Sequence, residues 1–202
     1  MKVIRMWLWV VALLVSVQAW SQQYSNSILY NVSVPVSNTA DYLSTTSFRG
    51  LTISPRIYLH EQFSLGITAG LQVFYEKKAP TAYVEDNLTL YGTQFRYINA
   101  FPIYLSPQYH LPTTSRFKPY AGLGLGTTLV NQTTNMGLYA FQEKEWLLGV
   151  YPEVGVLFPF KNDWHFTLSG KYNHMFGAGD LPAQAYWGVN AGLTHFFRGY
   201  RK

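Results

Sequence analysis

Apolar and polar residues alternate along most of this chain with a period of two. In the clearest run, 118–130, one face carries apolar residues and the other carries small, hydroxylated or aromatic ones. The apolar set is Pro119, Ala121, Leu123, Leu125 and Leu129, and the opposite set is Tyr120, Gly122, Gly124, Gly126 and Thr128. Because glycine weakens a strand interior, three glycines on one face predict a crowded place such as the inside of a small closed barrel. The apolar face then points outward, as in a strand that faces lipid.

Eight runs keep such a parity, and no helical period separates them. They are 28–36, 48–59, 63–75, 88–105, 118–130, 145–158, 164–173 and 187–197. The fourth run is the least regular, because Asn99 falls on the apolar face, and we expect a bulge there. The pattern predicts an all-β fold, an eight-stranded antiparallel up-and-down transmembrane β-barrel.

The connections between these runs alternate in length. Three are short, at 60–62, 112–116 and 161–163, and four are long, at 37–47, 76–87, 131–144 and 176–185. This asymmetry is typical of outer-membrane barrels, whose periplasmic turns are short and whose extracellular loops are long. An even number of strands then leaves both termini at the short-turn end.

Alternation alone does not say which face of a barrel is apolar. The alternative is a soluble lipocalin-like barrel, with an apolar ligand cavity and a charged exterior. Charged residues, however, make up only 12% of the chain, against about 25% in ordinary soluble domains. Aromatic residues make up 17% and fall in two groups, as in the girdles at two membrane interfaces. One group lies near the short turns (Phe63, Tyr109, Phe117, Phe158, Trp164 and Phe197) and the other near the long loops (Tyr75, Tyr91, Trp146, Tyr172 and Trp187). The composition favours the membrane barrel.

The N-terminus has the features of a secretory signal peptide. Lys2 and Arg5 precede an apolar run of about a dozen residues, which is shorter than the roughly 20 needed to span a bilayer as a helix. We therefore assign residues 1–21 to a signal peptide and residues 22–202 to one barrel domain in the outer membrane. The chain has no Cys, so the fold holds without disulfides. Without Lys2 and Arg5, 13 basic and 10 acidic residues leave a net charge of +3 and no basic cluster, so nucleic acid is not an expected partner.

A resemblance to a known family rests on two segments, Pro119-Tyr120-Ala121-Gly122-Leu123-Gly124-Leu125-Gly126 and Gly192-Leu193-Thr194-His195-Phe196-Phe197. With them the chain resembles the small outer-membrane β-barrels of Gram-negative bacteria, of the OmpA transmembrane-domain and OmpX type. The resemblance implies outer-membrane lipid and LPS as surroundings, and barrel-assembly machinery as the partner that reads the aromatic end of the last strand. These families include adhesins, structural proteins and enzymes, so the likeness implies architecture more than role. We expect a structural role, or an interaction of the long loops with an extracellular partner.

Enzymatic chemistry is the alternative role. Some eight-stranded outer-membrane barrels modify LPS or lipid A, and the resemblance implies a His-x-Ser pair for the deacylases among them. The nearest match here is His165-Phe166-Thr167, in which Thr replaces Ser. No two His stand at ligand spacing on one face, so we expect no metal site, and we assign no catalytic residue and no cofactor.

Five charged residues fall on the inward parity, Arg56, Arg96, Glu145, Glu153 and Lys171, and all of them except Glu145 are candidates for an ionic cluster. If Asn162 is the centre of a symmetric turn, Glu153 and Lys171 are direct cross-strand partners, with Cβ atoms about 4.5–5.5 Å apart. The same count about Glu61 places Arg56 opposite Gly66, where there is room for a long side chain. We therefore predict an ionic cluster in the lumen, centred on Glu153, which fills an interior only wide enough for side chains.

Overall fold

Eight antiparallel strands and one short helix make up the part of the chain that the structure describes, a computed structural model of residues 23–85, 88–137, 139–179 and 181–198. In chain order they are β1 (Gln23–Val36), α1 (Asn38–Tyr42), β2 (Ser47–His60), β3 (Phe63–Glu85), β4 (Leu88–His110), β5 (Lys118–Met136), β6 (Tyr139–Lys161), β7 (Trp164–Met175) and β8 (Gln184–Arg198). Each strand pairs with the next, and β8 pairs with β1, so the sheet is a closed barrel. The predicted fold class is confirmed. The predicted signal peptide, residues 1–21, lies outside the described residues.

The apolar face of each strand points out of the barrel. Outward side chains remain exposed, such as Leu148 (69%), Val154 (65%) and Ile28 (60%), whereas inward ones such as Thr128 and Ser33 are fully buried. The facing predicted from the alternation is therefore confirmed. Among the described residues, no helix has the length and apolar character needed to cross a membrane.

Glycines of β5 and β6 make room for tyrosine rings inside the barrel. Gly124 is the cross-strand partner of Tyr151, and Gly155 is the partner of Tyr120. A Cβ atom on Gly124 would lie 2.1 Å from the ring of Tyr151, and one on Gly155 would lie 2.5 Å from the ring of Tyr120. In each pair the tyrosine ring thus occupies the place where a side chain of the glycine position would lie, which accounts for glycine at these inward positions.

The two ends of the barrel differ in the length of their hairpins. At one end, here called the turn end, the connections are 61–62, 111–117 and 162–163, and β1 begins and β8 ends there. At the other, here called the hairpin end, β3 pairs with β4 as far as Glu85↔Leu88, and β5 pairs with β6 as far as Met136↔Tyr139. The prediction of long loops at 76–87 and 131–144 is wrong, because backbone pairing continues there although the regular apolar–polar alternation has stopped.

The fourth run is regular where a bulge was expected. Asn99 pairs with Val73 on one side and with Asn131 on the other without a register shift. The shift in this hairpin lies between Lys78 and Thr81, a stretch that contains Pro80. Because proline has no N–H for the ladder, it is tolerated in a strand mainly at such irregularities. The expected bulge at Asn99 is therefore wrong.

The contact between glycine and tyrosine predicts that the substitution of glycine by alanine lowers stability at one position and not at another. Gly124→Ala should lower the free energy of unfolding by about 1–3 kcal/mol, because the new methyl group overlaps the buried ring of Tyr151. Gly170→Ala is the matched control, since no atom lies within 4 Å of a Cβ at that position. Urea unfolding of both variants in lipid vesicles measures the difference. Equal urea unfolding midpoints for the two variants would contradict the close contact between position 124 and the Tyr151 ring.

Candidate functional site

Three of the four residues predicted to form the ionic cluster surround one small cavity in the middle of the barrel. Arg56, Glu153 and Lys171 are 6%, 8% and 6% exposed and line a cavity of about 30 Å³, which is large enough to hold water. The two predicted cross-strand pairs are confirmed, since Glu153 pairs with Lys171 and Arg56 pairs with Gly66. The turn itself is not symmetric about Asn162, which is in the left-handed region at φ 47°, because Lys161 pairs with Trp164. A register shift between Pro159 and Lys161 then brings β6 and β7 into the counted register.

Arg56 is held by hydrogen bonds to neutral groups of β2 and β4. Its Nη1 donates to the carbonyl of Ser106 (2.7 Å), and its Nη2 donates to the hydroxyls of Ser106 (3.0 Å) and Ser54 (3.2 Å). A Cβ atom on Gly66 would lie 3.0 Å from the guanidinium carbon. Glycine at position 66 therefore leaves the space that the side chain occupies.

Glu153 and Lys171 also have neutral neighbours. Tyr120 donates its hydroxyl to one carboxylate oxygen of Glu153 (3.1 Å), and the amide of Gln108 donates to the other (3.4 Å). The Nζ atom of Lys171 lies 5.4 Å from the centre of the Tyr151 ring, within the range of a cation–π contact. The opposite charges of Glu153 and Lys171 thus lie in one part of the interior, where their neighbours include hydroxyls, an amide and an aromatic ring.

Hydroxyl groups connect the surroundings of Lys171 with Arg56. Tyr151, whose ring lies beside Lys171, donates its hydroxyl to Thr68 (3.0 Å). The Thr68 hydroxyl lies 2.9 Å from that of Ser106, which in turn accepts from Arg56. We call Arg56, Glu153, Lys171 and these partners the charged layer.

Arg96 lies apart from the charged layer, at the hairpin end. It is about ten residues along β4 from Ser106, roughly 33 Å along the strand. Its Nη1 donates to the carbonyl of Tyr42 (2.7 Å), its Nε and Nη2 donate to the side chain of Gln94, and its Cζ lies 4.8 Å from the centre of the Tyr42 ring. The expectation that Arg96 joins the cluster is corrected, because parity determines the face of a strand and not the height along it.

A buried apolar layer lies inside the barrel between the charged layer and the hairpin end. Its eight members are buried, at 3% exposure or less, and form one cluster: Leu43, Phe74, Ile98, Val130, Leu147, Met175, Leu181 and Tyr186. Six come from strands, whereas Leu43 and Leu181 come from the connections after β1 and β7. Two connections therefore send side chains into the barrel.

Helix α1 covers this apolar layer and is fixed to β8 and β5. The hydroxyl of Thr39 donates to the side chain of Gln184 (2.7 Å) and accepts from the backbone N–H of Ala185 (2.8 Å). The hydroxyls of Tyr42 and Thr134 lie 2.5 Å apart, and burial raises the pKa of Tyr42 above its usual 10.0, so it is neutral near pH 7. We call helix α1 the cap.

The turn end has an open vestibule with an aromatic floor. Its volume is about 440 Å³, and its lining includes Tyr58, His110, Lys118 and Phe196. The ring of Tyr58 lies 5.2 Å from that of His110 and 5.5 Å from that of Phe196. His110 Nε2 lies 3.0 Å from the hydroxyl of Ser64, which is fully buried. This Ser–His pair therefore holds the wall together and does not offer a nucleophile to the vestibule.

The histidine of the nearest match to a His-x-Ser pair, His165, also faces the interior. His165 is 7% exposed, and its ring packs 4.5 Å from that of Phe196. The hydroxyl of Thr167 lies 2.6 Å from that of Thr194. Within the described ranges, no group of three or more His, Asp or Glu side chains could hold a metal ion.

Sequence reasoning missed the apolar layer and the cap. A signal was present, because Phe74, Ile98, Val130 and Leu147 are apolar residues on the inward parity of four neighbouring strands. Their common height becomes visible only once the strands are paired. The contribution of Leu43 and Leu181 had no signal in the alternation, since both lie in connections.

Several solved outer-membrane and surface proteins share this fold. Neisserial surface protein A matches with a TM-score of 0.57 and 17% identity, over 88% of this chain and 98% of that one. Ail, the attachment invasion locus protein of Yersinia pestis, matches in its complex with the heparin analogue sucrose octasulfate at 0.54 and 12%, over 87% and 98%. The outer membrane protein OprG from Pseudomonas aeruginosa matches at 0.53 and 14%, over 88% and 97%. No protein-family model and no curated protein matches the chain. The likeness confirms the resemblance to eight-stranded outer-membrane barrels at the level of the fold.

The charged layer makes the charge of Glu153 important for stability. Glu153→Gln should lower the free energy of unfolding by about 3–5 kcal/mol, because it leaves the buried Lys171 without its facing negative charge. Glu61→Gln, at an exposed turn, is the matched control. Urea unfolding of the refolded barrel compares the two. An unfolding midpoint for Glu153→Gln no lower than that of the control would show that the charge is solvated and not structural.

Proposed function

We propose that this chain, which has the fold of eight-stranded outer-membrane barrels, is an integral protein of a Gram-negative outer membrane with a structural or interaction role, and not a diffusion pore. The observation that supports the proposal is the series of buried side chains inside the barrel. Between the vestibule and the hairpin end, the charged layer surrounds a cavity of about 30 Å³, and the buried apolar layer and the cap follow it.

The outer wall supports a membrane location. It is a continuous surface of exposed apolar side chains, which in water would be a liability. Trp164, Phe63 and Phe197 remain exposed near the turn end, and Trp146 and Trp187 near the hairpin end, as in aromatic girdles at two interfaces. A soluble lipocalin-like barrel would reverse this arrangement, with polar groups outside and an apolar cavity inside.

The orientation follows from the position of the strand ends. Because β1 begins and β8 ends at the turn end, we place the turn end in the periplasm and the hairpin end outside the cell. The β3–β4 and β5–β6 hairpins then project on a rigid scaffold, the setting in which loops commonly bind partners. Ail, which shares the fold, was solved with a heparin analogue, and an extracellular partner for these hairpins is the corresponding proposal here. Barrel-assembly machinery, which would read the end of β8, is the proposed partner during biogenesis.

The alternative is an enzyme that modifies LPS or lipid A. Two observations count against the candidate His165: its side chain is directed into the lumen, and Thr167 beside it is hydrogen-bonded to Thr194. A lipid substrate approaches from the outer wall, where this pair is not presented. We therefore retain the structural or interaction role.

The buried side chains inside the barrel predict no large conductance. Protein reconstituted in planar bilayers should show no stable large channels, because the charged layer, the apolar layer and the cap lie across the barrel interior. A trimeric porin reconstituted in the same way serves as the positive control, and heat-modifiable migration of the unboiled sample shows that the barrel is folded. Stable large channels in the folded protein would overturn the proposed function.

The enzyme alternative has its own measurement. The mass profile of lipid A should be the same in cells with and without the protein. A change that is abolished by His165→Ala would reverse the ranking of the two roles. His60→Ala, at a turn and exposed, is the control for nonspecific effects of losing a histidine.

A further inference from the structure

A β-bulge near the hairpin end places an arginine on the outer wall. Asn31 pairs with Gly50 and Ser33 pairs with Ser47, so Phe48 and Arg49 together lie opposite the single residue Val32. Both side chains are exposed, Phe48 at 62%. The hydroxyl of Tyr30 donates to the carbonyl of Phe48 and holds the bulge. Bulges commonly re-aim a side chain, and here the result is a cation among outward aromatic residues.

Arg49 belongs to a patch that crosses three strands. Its Cζ lies 5.9 Å from the centre of the Tyr75 ring, and Tyr75 packs on its cross-strand partner Tyr97 at 4.9 Å. The next outward pair along the hairpin is Lys77 and Phe95, with Lys77 Nζ 5.7 Å from the ring centre. We call these five residues the rim patch. It combines two exposed cations with three rings.

The rim patch lies where the apolar wall ends. On β3, the outward residues before Tyr75 are apolar and include Ile67 and Leu71, which are exposed at 55% and 37%. The outward residue after Tyr75 is Lys77. The neighbouring Glu76 is on the opposite face, where its carboxylate accepts from the backbone N–H and the hydroxyl of Ser44. Positive charge therefore faces outward at the height where aromatic side chains meet lipid headgroups.

We propose that the rim patch binds the phosphate group of an anionic lipid in the outer leaflet, with Arg49 and Lys77 as the phosphate ligands and the rings against the adjoining chain. Guanidinium and ammonium groups are the usual partners of phosphate, and basic side chains near a membrane surface attract anionic headgroups. The proposal rests on the proposed function, because it needs the hairpin end at the outer leaflet. A soluble polyanion would approach from the aqueous side, whereas the rim patch continues the lipid-facing wall.

Lipid retention tests the rim patch. The full-length mature barrel is folded in detergent micelles that contain either bisphosphorylated lipid A or the same lipid without its phosphates, and bound lipid is counted by native mass spectrometry. The unmodified protein should retain the bisphosphorylated form. Arg49→Gln/Lys77→Gln should weaken that retention by about tenfold or more. Arg49→Lys/Lys77→Arg, which keeps both charges, should restore it.

A matched control and a soluble competitor complete the test. Lys118→Gln/Lys161→Gln removes two exposed lysines at the turn end and should leave retention unchanged. Equal retention of both lipids, or no loss in Arg49→Gln/Lys77→Gln, would overturn the assignment. The assignment would also be overturned, in favour of a soluble polyanion, if the protein bound sucrose octasulfate, lost that binding in Arg49→Gln/Lys77→Gln, and showed no preference for the lipid that carries phosphates. Failure of the unmodified protein to insert into vesicles would overturn the proposed function as well, whereas insertion without phosphate preference overturns this inference alone.

Discussion

Pairing between the first and last strands closes the sheet, and the other features of the structure depend on that closure. The pairs extend without a break from Gln23↔Arg198 to Val36↔Ala185. In the hydrocarbon core of a bilayer no water is present to satisfy an open strand edge, so every backbone N–H and C=O must find a partner within the protein. Closure makes an apolar outer wall compatible with lipid, and it confines everything else to a narrow interior.

The narrow interior explains the contacts inside the barrel. Eight strands leave space only for side chains, so glycine at positions 66, 124 and 155 is matched with a long or aromatic neighbour. Charges confined in this way need partners, because burial of an isolated charge is costly. The hydroxyl, amide and carbonyl groups around Arg56 and Glu153 supply them. The buried polar side chains of the interior thus also provide hydrogen-bond partners for its charged groups.

The hairpin end departs from the regular barrel in two ways that concern function. Towards the interior, Arg96 and Thr39 fix the cap over the apolar layer. Towards the exterior, the bulge at Phe48 and Arg49 adds a cation to an aromatic surface. Both features join segments that are distant in sequence, and both occur where the simple alternation of side chains stops.

The sequence by itself determined the strands, their facing and part of their register. Alternation depends on the two-residue period of a strand, and counting about the short turns predicted the pairs Glu153↔Lys171 and Arg56↔Gly66, although each hairpin reaches that register through a shift next to its turn. Only the tertiary structure decided the height of Arg96, the paired hairpins at 76–87 and 131–144, and the entry of Leu43 and Leu181 into the lumen. These features depend on the stagger of strands around the closed barrel and on contacts between distant connections. The two-residue period of a single strand carries no information about the stagger of the strands or about contacts between connections.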